Sequence, residues 1–295
     1  MDLRSEAPQN IVRNDYEHRL HEYWTAKQND PINLLLGQAD NLYHHHFATG
    51  DFDRSVLDAP AEHRDRLILE EMHRMENDQV ALILDGLGTV PATARVLDAG
   101  SGRGGTSFAV HDAFGCAVDG VNFCTHHIDF ARDLAERRGS APSVRFHHAN
   151  MVATPFPDAS FQYVVTNEAT MYVDLFELFA EFARVLEPGG RYVLTTWCAN
   201  DAVALDTPEV KAIDEHYVCH IHPRSTYFRA LAANGLAPIK VTDLTQDAIP
   251  YWELRTHCDL RTGVETPFLN GHRSNVLNYL AITAERVLTP TAAQG

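Results

Sequence analysis

The chain has 295 residues, 45% hydrophobic and 22% charged, the composition of a folded globular protein that can bury a core rather than of a disordered or fibrous one. With 24 Lys and Arg against 40 Asp and Glu, its formal charge of −16 repels polyanions. Nucleic acid and anionic membranes are therefore excluded as expected partners, in favour of a small molecule. No apolar run approaches the roughly 18 residues of a membrane span. The five cysteines contain no CxxC pair and the N-terminus has no signal-peptide pattern, so the expectation is a cytoplasmic protein with reduced thiols.

In chain order, residues 1–63 are polar and rich in His and Asn, and they predict a helical or irregular cap. This segment is too poor in apolar residues to bury a core alone and is expected to pack against another surface, such as that of a neighbouring subunit in a homo-oligomer. Residues 64–295 are expected to form the second domain. It opens on an amphipathic helix from Arg64 to about Leu87, in which Leu67, Met72, Met75, Val80 and Leu84 recur near helical spacing. Short apolar runs then alternate with helical stretches. The predicted strands are 95–98, 117–121, 144–146, 161–165 and 191–195, with helices at 106–114, 125–138 and 173–186 between them. That rhythm is the pattern of βαβ units in a doubly wound, mostly parallel sheet. Residues 200–230 interrupt it as an insertion over the site, and 238–244 and 276–283 would complete seven strands.

Val96-Leu97-Asp98-Ala99-Gly100-Ser101-Gly102-Arg103-Gly104 stands directly after the first strand and opens a helix. Glycines belong where the chain turns tightly and a ligand approaches the backbone. Alone, this pattern also fits a dinucleotide-binding turn. Three features favour S-adenosylmethionine (SAM). Asp98 precedes the first glycine, where it can meet an ammonium group. The second strand ends in Asn122, the candidate for the ribose, rather than in a carboxylate. Asn150-Met151 and a Pro-Asp-Ala-Ser-Phe segment precede the fourth strand. Together these residues resemble the Rossmann-like class I SAM-dependent methyltransferases, with Asn150 where that family usually carries an Asp facing the adenine amine. The cofactor-site candidates are Asp98, Gly100, Gly102, Gly104, Asn122, Asn150, Met151 and Asn167.

Further segments carry a narrower likeness. Asn33–Gly37 with Leu42–Phe47, Asn167–Leu175 and Pro250–Arg255 are similar to geranyl diphosphate 2-C-methyltransferases, a resemblance running from about residue 31 to 287. It implies electrophilic methylation of a prenyl double bond. An alkene needs no deprotonation before attack, so the enzyme's tasks are orientation and stabilisation of the resulting carbocation. Aromatic faces suit that task. The candidates are Tyr43, Phe47, Tyr172, Trp197 and Tyr251, and the resemblance assigns Glu168 the role of cation stabiliser and possible proton acceptor. His44, His45 and His46 are consecutive and cannot all face one site, so no protein-ligated metal is expected. The remaining histidine pairs, His126-His127 among them, are expected at the surface or in loops.

The pattern departs from the family at three positions. Phe47 stands where the family has Tyr. Trp197-Cys198-Ala199-Asn200 replaces Gly-Cys-Trp-Asn, and Glu209 falls where a second Trp is expected. These changes suggest a wider pocket and weaker diphosphate handling, hence a prenylated substrate such as a geranylated indole of the teleocidin type. Geranyl or another prenyl diphosphate held through Mg²⁺ is the alternative, and a small-molecule O- or N-methyltransferase a further one.

Overall fold

The computed structural model describes residues 11–288; residues 1–10 of the expected cap and 289–295 of the expected domain lie outside that range. Seven strands form one sheet in the order β3-β2-β1-β4-β5-β7-β6. They are β1 (Arg95–Ala99), β2 (Ala117–Asn122), β3 (Val144–His148), β4 (Phe161–Asn167), β5 (Leu186–Ala199), β6 (Leu236–Asp243) and β7 (Leu277–Arg286). β1 to β5 are parallel, and β7 runs antiparallel to both β5 and β6. The expected doubly wound seven-stranded architecture is therefore present. Because β1 pairs with β2 on one side and β4 on the other, the strand order reverses between β1 and β4. In open α/β sheets a ligand crevice opens at that switch, beyond the strands' C-terminal ends.

Ten helices occur among the described residues. In the N-terminal segment α1 (Asp15–Ala26) is capped by the side chain of Asn14, and α2 (Pro31–Leu36) by Asp30 with Pro31 at its first position. α3 (Ala61–Leu87) is the expected long amphipathic helix. α4 (Gly105–Phe114), α5 (Thr125–Arg137) and α6 (Leu175–Val185) connect the strands of the parallel half, and Asp174 caps α6. The insertion carries α7 (Pro208–Tyr217) and leads into α8 (Arg224–Ala233). α9 (Ile249–Arg255) and α10 (Glu265–Arg273) precede β7; the sequence rhythm did not announce these two short helices. β5 also starts five residues early, at Leu186, because Glu187-Pro188-Gly189-Gly190 makes an irregularity within the strand rather than a turn before it.

The N-terminal segment finds its apolar partner within its own chain. Ile32, Leu36, Ala48, Phe52 and Val56 join one core with Met72 and Met75 of α3 and Trp252 of α9. Burial of that kind, about 25 cal/mol per Å², holds the segment over the C-terminal edge of the sheet.

Candidate active site

β1 ends at Ala99, and Gly100 follows with φ +85. A Cβ on Gly100 would lie 2.5 Å from the Cβ of Ala169, so only glycine lets this loop pass beside the end of β4. Beyond it lies a chamber of about 760 Å³. Gly100, Gly102, Asn122, Asn150, Met151 and Asn167 all line it, as do Glu168 and Tyr172. Asp98 faces an adjoining recess with Gly100, Gly102 and Asn167. Gly104 lines neither recess: a Cβ there would meet Phe146 at 2.6 Å, so its absence serves helix–sheet packing. The cradle, with a ring-lined floor and a carboxylate at the strand end, fits SAM. Asp98 is fully buried, bonded by Ser107 Oγ at 2.5 Å, and burial raises its pKa to about 6. A cationic ammonium beside it would lower that value again.

α1 roofs this chamber with Glu17, Leu20 and Trp24. His127, expected at the surface, is instead buried on α5 and also lines it, beside Trp24 and His45. The other histidines divide among different partners. His44 meets Asn77 at 2.8 Å, His45 meets Arg103 at 2.9 Å and His46 meets the Phe47 carbonyl at 2.8 Å. Among the described residues no group of three His, Cys, Asp or Glu has metal-binding geometry.

Glu168 follows β4 with φ +50, a left-handed conformation that costs a non-glycine residue of order 1–3 kcal/mol. Its carboxylate is held by three donors from three elements. The Phe47 amide donates to Oε2 at 3.1 Å, Trp197 Nε1 donates to Oε2 at 3.1 Å and the Tyr279 hydroxyl donates to Oε1. Gln79 of α3 in turn donates to Tyr279 at 2.8 Å and bonds Asn167. Full burial nevertheless pushes the Glu168 pKa up to about 7, against the lowering effect of these donors.

A second chamber of about 470 Å³ adjoins the first, and Trp24 and His45 line both. Its aromatic wall includes Phe47, Tyr23 and Tyr217. Phe47 centres a larger ring cluster, 4.4 Å from Trp252, 5.2 Å from Phe268 and 6.2 Å from Tyr217. Trp197 packs edge-on to Phe268 at 5.1 Å. The chamber also holds Lys27, Asn33, Glu76 and Arg255. Arg255 is buried, paired with Glu265 at 3.2 Å, and its Nε has no partner. Glu76, likewise buried, accepts from Tyr251 at 2.6 Å; its Oε2 is unpartnered and burial raises its pKa to about 7.

The sequence-derived aromatic candidates therefore separate. Phe47, Trp197 and Tyr172 surround Glu168 or the chambers beside it. Tyr251 lies behind Phe47 as the hydrogen-bond partner of Glu76. Tyr43 packs edge-on to Phe130 at 4.8 Å, in the core behind the glycine loop. Ala199 is buried in the core and Glu209 stands in the first turn of α7; neither lines a chamber. Gln79, Tyr279, Glu76, Tyr217 and Glu17 were not found by the motifs, and Arg255 lay in a family-like segment without being named as a site residue. A usable signal existed for Glu76 and Gln79, polar residues interrupting the apolar face Met72, Met75, Val80 and Ile83.

A methyltransferase domain model matches residues 96–190, which hold the glycine loop and Glu168. The chain is 46% identical over 272 residues to geranyl diphosphate 2-C-methyltransferase of Saccharopolyspora erythraea, covering 92% of this chain and 95% of that protein. It is 40% identical to the Streptomyces ambofaciens enzyme of the same name, over 92% of this chain and 94% of that one. Among solved structures, geranyl diphosphate C-methyltransferase of Streptomyces coelicolor A3(2) with Mg²⁺, geranyl-S-thiolodiphosphate and S-adenosyl-L-homocysteine superposes with a TM-score of 0.90 at 38% identity, covering 96% of this chain and 100% of that one. No helix among the described residues is long and apolar enough to cross a membrane. With its Rossmann-like sheet, glycine cradle and caged Glu168, the chain belongs to the geranyl diphosphate 2-C-methyltransferase family and is a SAM-dependent C-methyltransferase.

Proposed function

We propose that the enzyme methylates an alkene carbon of a prenyl diphosphate, and that the carboxylate of Glu168 stabilises the cation so formed. The observation that carries this reading is the Glu168 cage: a buried carboxylate fixed by Phe47, Trp197 and Tyr279 on the wall of the cofactor chamber. SAM, when bound, supplies an electrophilic methyl group. The rest is the work of side chains. Gly100, Asn122, Asn150 and Asn167 hold the cofactor, and Asp98 meets its ammonium. Phe47 and Tyr172 present ring faces to the chambers, which attract a cation without offering a nucleophile, and Trp197 fixes Glu168 through its Nε1. Glu168 opposes the positive charge and accepts the proton when the cation collapses to an alkene.

The head of the substrate is the point on which the alternatives differ. Arg255 and Lys27 give the second chamber two cationic groups for an anionic oxygen. This supports a diphosphate over an uncharged indole, despite the hydroxyl missing at Phe47. The carboxylates of Glu76 and Asp30 line the same chamber. Mg²⁺ would then be held chiefly by the diphosphate, with water and one or two carboxylates.

Methyl-labelled SAM is to be offered with geranyl diphosphate, farnesyl diphosphate or a geranylated indole, each with and without EDTA. Labelled prenyl diphosphate that disappears on chelation is expected. Turnover of the indole alone, unaffected by EDTA, would overturn the diphosphate reading.

A further inference from the structure

The carboxamide of Asn150 is bonded on three sides. Its Nδ2 donates to the Ile11 carbonyl at 2.9 Å and to Glu17 Oε2 at 3.1 Å, while its Oδ1 accepts from the Val152 amide at 3.2 Å. Both partners of Nδ2 are acceptors only. Rotating the amide by half a turn would set Oδ1 against a carboxylate and a carbonyl, and the NH₂ group against the Val152 N–H. One orientation is therefore imposed, leaving a lone pair of Oδ1 for the chamber between Asn122, Phe123 and Met151. An aspartate would offer an oxygen in either orientation; an asparagine does so only when its NH₂ is held away.

We propose that Glu17 of the roofing helix is a positioning residue for the purine. By fixing the Asn150 amide, it makes the cofactor chamber select a 6-amino purine, which donates to Oδ1, over a 6-oxo purine, which cannot. Glu17 acts through Asn150 and not on the base. Its two oxygens already take Arg13 Nε at 2.9 Å, Arg13 Nη2 at 2.7 Å and the Arg13 amide at 2.7 Å besides Asn150, which fills the roughly four acceptor positions of a carboxylate. Purine selectivity thereby becomes a property of α1 closing over the sheet. The inference rests on the reading that Asn150 faces the purine.

Calorimetric titration of the full chain with S-adenosylhomocysteine and with S-inosylhomocysteine tests it, with thermal melts to verify folding. The wild type is expected to bind the adenosyl compound about 10- to 100-fold more tightly, the scale of one buried hydrogen bond replaced by an unpaired group. Glu17→Ala and the space-conserving Glu17→Met are expected to reduce that ratio to a few-fold. Asn150→Asp added to Glu17→Ala restores it, since the aspartate needs no orienting partner. Asn150→Asp alone sets two carboxylates together and weakens both ligands. If Glu17→Ala and Glu17→Met leave the ratio intact, or weaken both ligands equally, the positioning role is overturned. An unchanged ratio in Asn150→Ala overturns the placement of the purine instead.

Discussion

Trp197 of β5 and Tyr279 of β7 are direct partners in the antiparallel register, and both donate to the carboxylate of Glu168. The pairing of two strands thus sets the position of a side chain on a third. Replacing Glu168 by Gln keeps the shape but removes the negative charge; kcat is expected to fall by about 10²–10³, as for loss of one preorganised electrostatic partner. KM for the substrate is expected to change little, because the charge is used in the transition state. Single-turnover kinetics separates the two.

The pH profile follows from burial. With a pKa of about 7, Glu168 is protonated below neutrality and ionised above it. kcat is expected to rise with pH through about 7. Tyr279→Phe removes a donor that favours the ionised form, so the rise moves to higher pH by about one unit.

Stability runs the opposite way. A carboxyl whose folded-state pKa is raised contributes stability that is fully present below the unfolded value and is lost as pH rises through the folded one. For Glu168 the window spans its ordinary value of 4.5 to about 7. Glu168→Gln should therefore gain about 3 kcal/mol relative to the wild type on moving from pH 4 to pH 8. Urea denaturation at the two pH values measures this.

Arg255→Lys keeps the charge in the second chamber but loses the planar fork that is anchored to Glu265. KM for the prenyl diphosphate is expected to rise about tenfold or more, the scale of a lost charge-assisted hydrogen bond, with a smaller change in kcat. Steady-state kinetics at saturating SAM provides the comparison.

Gly100→Ala adds a Cβ 2.5 Å from that of Ala169 on a residue with φ +85. The loop must move, and SAM affinity measured by calorimetry is expected to fall by about 10²-fold, from strain of a few kcal/mol.

Much of this was legible in the sequence because it is local. The glycine loop announces itself through the steric demands at Gly100, and the parallel half of the sheet through alternating apolar runs. Tyr279 and Gln79 reach the Glu168 network from 111 and 88 or more residues away, through β7 pairing and α3 packing that no short window encodes. The same limit explains Tyr43, which borders the Asp98 recess while its ring packs against Phe130 in the core. His127 sits one residue before the buried apolar face of α5 (Ile128, Ala131, Leu134, Ala135), and Trp24 of α1 packs over it, a tertiary contact that the local sequence does not announce.

The Glu168 cage is proposed to bind a carbocation. Methylation at the second carbon of a prenyl diphosphate leaves positive charge on the third, so an analogue with an ammonium nitrogen there mimics the cation, and its carbon isostere does not. The affinity ratio of the two is to be measured in the presence of S-adenosylhomocysteine at pH 8. A preference of about 10²-fold or more for the ammonium compound, abolished in Glu168→Gln, is predicted; equal binding of both compounds by the wild type would contradict it.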